Sequence, residues 1–175
     1  MKTVLVVTVI GPDRPGIVSG LSKIVAAHDA DWLESHLGYL VGQFAGMVHL
    51  EVADSQVEAL TKALTGFDVA GMQVSIARGS IAQDNAAARR VLLELTGLDH
   101  PGIVRDITST LKEAGVSVET FESEQYSGSM SGEPMFKATA RLLVPNELPD
   151  DALDAAMQSV SHGLMVDLDL LPVKG

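Results

Sequence analysis

Gly11-Pro12-Asp13-Arg14-Pro15-Gly16-Ile17-Val18 decides the fold of this chain, because the chain writes it twice. Its counterpart, Gly97-Leu98-Asp99-His100-Pro101-Gly102-Ile103-Val104, lies 86 residues later in the same setting, with an apolar run before it and an amphipathic segment after it. A repeat of that length marks an internal duplication, so the 175 residues divide into two small units rather than one large domain.

Each copy follows a run of β-branched and aliphatic residues, Val4–Ile10 and Val91–Thr96, which reads as a buried strand. Each copy also leads into a helix. The glycine ends the strand, Asp13 or Asp99 is expected to cap the helix, and Pro15 or Pro101 suits a first helical turn, where its missing N–H costs nothing. The loop then aims the open N–H groups of a helix start at one spot. Gly16 and Gly102 leave that backbone without side-chain cover, so a small anion such as a carboxylate can approach it. A capped turn that binds nothing and an anion-receiving loop are both open readings of this motif.

Outward from the first copy, Ile17, Leu21, Ile24 and Val25 recur at helical spacing and require one face to pack on a sheet. Trp32–Val41 reads as a second strand, with Gly42-Gln43 as a tight connection. Phe44, Gly46, Val48, Leu50 and Val52 alternate with Ala45, Met47, His49 and Glu51, the period of a half-buried third strand. Ser55 and Glu58 form a capping-box pattern before a helix striped by Val57, Leu60 and Leu64. Alternation through Met72, Val74 and Ile76 gives a fourth strand and the order βαββαβ.

The small, polar stretch from Arg78 to Ala88 reads as a connection and divides the chain into a first unit at 1–80, a linker at 81–90 and a second unit at 91–175. The second unit repeats the order. Its helices carry Ile103, Ile107, Leu111 and Ala114, then Leu153, Met157 and Val160. Its strands run over Val91–Thr96, Val116–Tyr126, Phe136–Val144 and Leu164–Leu170, with a flexible turn at 127–133 that is longer than its counterpart. The fold class is α+β: two ferredoxin-like βαββαβ units, each an antiparallel sheet with both helices on one face. The other face is left bare, and the two sheets are expected to pair so that the two loops share an interface.

Composition excludes several function classes. A formal charge of −11 opposes the phosphate field of nucleic acid, and the only close basic pair is Arg89-Arg90. The absence of cysteine removes disulfides, thiol catalysis and zinc–thiolate sites. No run approaches a membrane span, and Met1-Lys2-Thr3-Val4 moves directly into a strand, so the expectation is a cytoplasmic protein. His28, His36, His49, His100 and His162 lack metal-ligand spacing, and no nucleophile-elbow, P-loop or dinucleotide fingerprint follows either first strand. Asp167 and Asp169 share a strand face and are read as solvent-facing charges rather than a catalytic pair. No catalytic residue, metal or cofactor is expected, and the chain is read as a non-enzyme.

The repeated Asp-x-Pro-Gly-Ile-Val, set in two βαββαβ units, resembles the tandem ACT domains that sense small molecules in amino-acid metabolism. The resemblance covers nearly the whole chain. A free-standing pair of this kind is similar to the glycine cleavage transcriptional repressors, which implies a dimeric regulator that senses a small, glycine-like amino acid. The same resemblance implies action through a DNA-binding activator or another regulated protein, not on DNA itself. It places the ligand on Asp13, Arg14, Pro15, Gly16 and Ile17 of one loop and Asp99, His100, Pro101, Gly102 and Ile103 of the other. Backbone N–H groups at Gly16-Ile17 and Gly102-Ile103 would take the carboxylate, while Asp13 or Asp99 would pair with the ammonium. His100 replaces Arg14 in the second copy, so the two loops need not act alike. A ligand-free interaction module regulating a metabolic enzyme, and a small enzyme built on His100 and Asp99, are the competing readings.

Overall fold

The central strand of each unit carries the duplicated motif at its end, and the rest of the unit is built around it. In this computed structural model, which describes residues 1–67, 71–79, 88–128 and 132–172, the chain divides into two compact units, Met1–Ala82 and Gln83–Gly175. The first runs β1 (Lys2–Pro12), α1 (Ile17–Ala27), β2 (Asp31–Leu40), β3 (Gln43–Ala53), α2 (Val57–Thr65) and β4 (Gln73–Arg78). The second runs β5 (Ala88–Leu98), α3 (Ile103–Glu113), β6 (Ser117–Ser127), β7 (Pro134–Pro145), α4 (Asp150–Leu164) and β8 (Val166–Pro172). Both sheets are four-stranded and antiparallel, in the orders β2-β3-β1-β4 and β6-β7-β5-β8, which is the βαββαβ class read from the sequence.

Alternation decides which side chains enter each core. On β1, Leu5, Val7 and Val9 face the helices and are buried, and they meet Ile17, Leu21 and Val25 of α1 and Leu60 and Leu64 of α2. The second core repeats this arrangement with Val91, Leu93 and Leu95 against Ile103, Ile107, Leu111, Leu153 and Met157. The duplication extends to irregularities: β2 bulges between Trp32 and Glu34 and β6 between Val118 and Thr120, at positions 86 residues apart.

The motif glycines Gly11 and Gly97 let the neighbouring edge strand approach closely. A Cβ on Gly11 would lie 2.8 Å from both the Met72 Cα and the Gly71 carbonyl oxygen, and one on Gly97 would lie 2.8 Å from the Val166 Cα. Backbone cannot yield there as a flexible side chain would. Gly97→Ala is therefore expected to destabilise the second unit by about 1–3 kcal/mol, the range for overpacking, read as a lower urea midpoint at unchanged m-value. An unchanged midpoint would show that β8 can move aside without cost.

Several local expectations are corrected. Ser55 does not cap α2: the helix begins at Val57 after a 3-10 turn at Asp54–Gln56, and its N-cap Gln56 makes no side-chain cap bond. The first hairpin turns at Val41-Gly42, not Gly42-Gln43. Leu164 closes α4 and Ala114 is the C-cap of α3. The strand β5 begins at Ala88, so Arg89 and Arg90 belong to it, where Arg89 bonds the Pro145 carbonyl at 2.9 Å and Arg90 pairs with Glu119 at 3.1 Å. Residues 80–87 of the expected linker and 129–131 of the expected turn lie outside the described residues. On the edge strand β8, Asp167 and Asp169 are exposed.

Candidate functional site

Both motif loops are pinned at the same place. β1 ends at Pro12, and the Asp13 N–H then donates to the Gly42 carbonyl at 3.0 Å; in the second unit the Asp99 N–H donates to the Pro134 carbonyl at 2.9 Å. The helix follows after a turn whose N-cap is a glycine: Gly16 at φ 96°, ψ 2° and Gly102 at φ 96°, ψ −2°. Only glycine adopts that left-handed conformation freely, which is why the motif repeats it. The expected aspartate cap is thereby overturned. Neither Asp13 nor Asp99 caps its helix, and Pro15 and Pro101 precede the N-cap instead of opening the first turn.

What remains at the start of α1 is a set of open donors. The Gly16 carbonyl accepts from the Gly20 N–H at 2.8 Å, but among the described residues the N–H groups of Ile17, Val18 and Ser19 meet no acceptor. Ile17 is buried, while Asp13, Arg14, Pro15 and Gly16 are exposed. Among the described residues, the Asp13 and Arg14 side chains make no hydrogen bond or ion pair, and a Cβ on Gly16 would meet nothing within 4 Å. The first loop thus presents a carboxylate, a guanidinium and a helix start within five residues, all unengaged.

The second loop has the same backbone and different company. Gln125 Nε2 donates to Asp99 Oδ2 at 2.6 Å. Arg105 Nε donates to Asp106 Oδ1 at 2.7 Å, and its Nη2 lies over Gly102, 3.1 Å from where a Cβ would stand. That hydrogen bond from Arg105 holds the Asp106 carboxyl below the usual carboxylate range, with the charges of Arg105 and His100 adding to the effect. His100 sets Nδ1 3.3 Å from the Pro101 carbonyl oxygen, and its buried Nε2 has no partner. The Ile103 N–H is turned to the His100 carbonyl at 3.3 Å, so one donor left open in the first loop is engaged here.

Sequence reasoning overlooked Gln125, Arg105 and Asp106, although the repeat contained the signal. Shifted back by 86 residues, these positions hold Tyr39, Ser19 and Gly20. The register agrees: Gly11 pairs Phe44, which pairs Tyr39, and Gly97 pairs Phe136, which pairs Gln125. Tyr39 is 63% exposed and leaves Asp13 free. The other histidines are engaged locally or isolated, with His28 Nδ1 2.8 Å from the Ile24 carbonyl oxygen and His36 3.2 Å from Glu34. Among the described residues no three His, Cys, Asp or Glu side chains gather to hold a metal, and no helix is long and apolar enough to cross a membrane.

Residues 3–80 match the family model of the ACT domain. The second unit carries the same strand order, the same N-cap glycine conformation and the repeated motif. The first unit belongs to the ACT-domain family. Among solved structures the chain is similar to an unknown protein from Galdieria sulphuraria, with 28% identity and TM-score 0.88 over 99% of this chain and 100% of that one. It also shares the fold of a candidate glycine cleavage system transcriptional repressor, at 16% identity and TM-score 0.74, over 100% of this chain and 99% of the other. Two curated relatives are UPF0237 proteins. The one from Methanopyrus kandleri is 40% identical over 52 residues, 30% of this chain, and that from Methanocaldococcus jannaschii 35% over 57 residues, 33% of it. The chain spans 58% and 63% of the lengths of these two relatives.

Proposed function

We propose that this ACT-domain pair is a non-enzymatic, cytoplasmic regulator. It senses a small, glycine-like amino acid and controls transcription of amino-acid or one-carbon metabolism through contact with a DNA-binding activator or another regulated protein. The observation that carries the ligand half is the first loop, where, among the described residues, Asp13 and Arg14 have no partners beside the open N–H groups of Ile17 and Val18. A free amino acid has the complementary charges, its carboxylate suited to the helix start and Arg14, its ammonium to Asp13.

The contact half rests on the β2–β3 hairpin tip, which the loop touches through the Asp13–Gly42 hydrogen bond. There Tyr39, Leu40 and Val41 are 63%, 76% and 88% exposed, and Val41 is held at φ 48°, a backbone region that β-branched residues seldom enter. An exposed apolar tip joined to a ligand loop is suited to passing occupancy on to a protein partner. The charge of −11 argues against the chain acting on DNA directly. The runner-up is a constitutive ACT module, a reading favoured by the internal contacts of the second loop.

A thermal-shift screen of the amino acids decides between them. Glycine or a close analogue is expected to raise the melting temperature in a concentration-dependent way, since a ligand selective for the folded state stabilises it by mass action. Absence of a shift for every amino acid at millimolar concentration would favour the constitutive module.

A further inference from the structure

The two loops share a backbone but not the state of their aspartates, and this difference bears on how many ligands the chain takes. An amino acid needs a carboxylate for its ammonium as well as donors for its own carboxylate. In the first loop Asp13 is exposed and unengaged. In the second, Asp99 is half-buried and already accepts a 2.6 Å hydrogen bond from the Gln125 side-chain amide. That amide N–H takes Oδ2, one of the two carboxylate oxygens on which a ligand ammonium would donate. The Ile103 N–H is likewise turned onto the His100 carbonyl, and Arg105, paired with Asp106, lies over Gly102. Among the described residues the first unit has no equivalent of the two side-chain contacts, because Tyr39, Ser19 and Gly20 occupy the corresponding positions, and its Ile17 N–H makes no bond like that of Ile103.

We propose that Gln125 is an internal surrogate for the ligand ammonium: by occupying Asp99 it closes the second loop to amino acids, so that the full chain binds one ligand, in the first loop, with the residue pair Tyr39/Gln125 setting which loop is open. This builds on the sensing role proposed above. The second unit then stays in one fixed state while the first responds. A duplicated module of this kind gives a single-site, non-cooperative response.

The test is a reciprocal exchange in the full chain, with glycine as the probe. Calorimetry on the wild type is expected to give one glycine per chain. Gln125→Tyr is expected to raise this to two, and Tyr39→Gln to weaken the first site by about tenfold or more by placing an amide on Asp13. A ligand-free measurement runs beside it. In the wild type the Gln125 side-chain amide protons should be shifted and slow to exchange with water, and Asp99→Ala should abolish both properties, as loss of the acceptor requires.

Two glycines per wild-type chain, or a Gln125 amide that exchanges as freely as a solvated glutamine, would overturn the inference. If the wild type binds no glycine, the sensing role is what fails. A Gln125→Tyr chain that then gains one site still supports closure by Gln125, and one that gains none overturns it.

Discussion

Gly16→Val is expected to abolish amino-acid binding in the first loop, with affinity falling by about a hundredfold or more. The reason lies in the backbone. Gly16 sits at φ 96°, where a β-branched residue is strained by about 1–3 kcal/mol, and that strain is relieved by rotating the peptide planes that aim the Ile17 and Val18 N–H groups. Clash at Cβ does not contribute, because among the described residues nothing lies within 4 Å of a Cβ at this position. The series is therefore diagnostic: Gly16→Asn, which tolerates left-handed backbone, should retain most of the binding, Gly16→Ala less, and Gly16→Val none. Asp13→Asn should leave folding untouched, since Asp13 does not cap α1, and should weaken binding tenfold to roughly a hundredfold through loss of a charge-assisted bond. Calorimetry with the amino acid found by the thermal-shift screen reads all four variants. Equal affinity across them would leave the loop as a turn and nothing more.

Leu21→Ala carries the largest expected stability loss. Leu21 is 1% exposed on the buried face of α1, in the cluster that includes Leu5, Val7, Val48 and Leu50. Removing three buried carbons and leaving a cavity costs about 2–5 kcal/mol, a large part of the roughly 5–15 kcal/mol that holds a domain folded. The chain's single tryptophan, Trp32, packs against the same core, so its fluorescence follows the first unit during urea unfolding. The Trp32-reported midpoint should fall at unchanged m-value. A loss below about 1 kcal/mol would mean that the core can collapse around the missing side chain.

The architecture was legible because duplication and period are both properties of the sequence. The 86-residue repeat of Gly11–Val18 announced two units, and the alternation through Phe44–Val52 and Phe136–Val144 placed the inner strands correctly. Ends of elements were less legible. Ser55 and Glu58 have the spacing of a capping box, yet the chain turns through Asp54–Gln56 first, so the spacing never meets a helix start. The same happened in the motif itself. Asp13 is a good N-cap residue by type, but a cap needs its side chain one residue before the helix, and Gly16 holds that position with left-handed dihedrals. Cap identity is a matter of φ and ψ, which composition does not carry.

The candidate site divides in the same way. That Asp13–Ile17 and Asp99–Ile103 form equivalent loops follows from the repeat; that their aspartates differ does not follow from the motif, because Gln125 lies far along the chain, on β6. Hydrogen bonds across a sheet are set by register, and register emerges only when the strands are paired. Aligning the two copies position by position nevertheless sets Gln125 against Tyr39 and Arg105 against Ser19, and those mismatches mark where the two loops diverge in chemistry.

In the proposed sensor the start of α1, with Asp13 and Arg14, receives a small amino acid. Two-dimensional NMR of the full chain during a glycine titration tests it most directly, since each backbone amide reports its own surroundings. Saturable shifts are expected at Asp13, Arg14 and Gly16–Ser19, with the amides of Asp99 and Gly102–Arg105 unmoved. Shifts confined to the second loop, or none at any residue of the first loop up to saturating glycine, would contradict it.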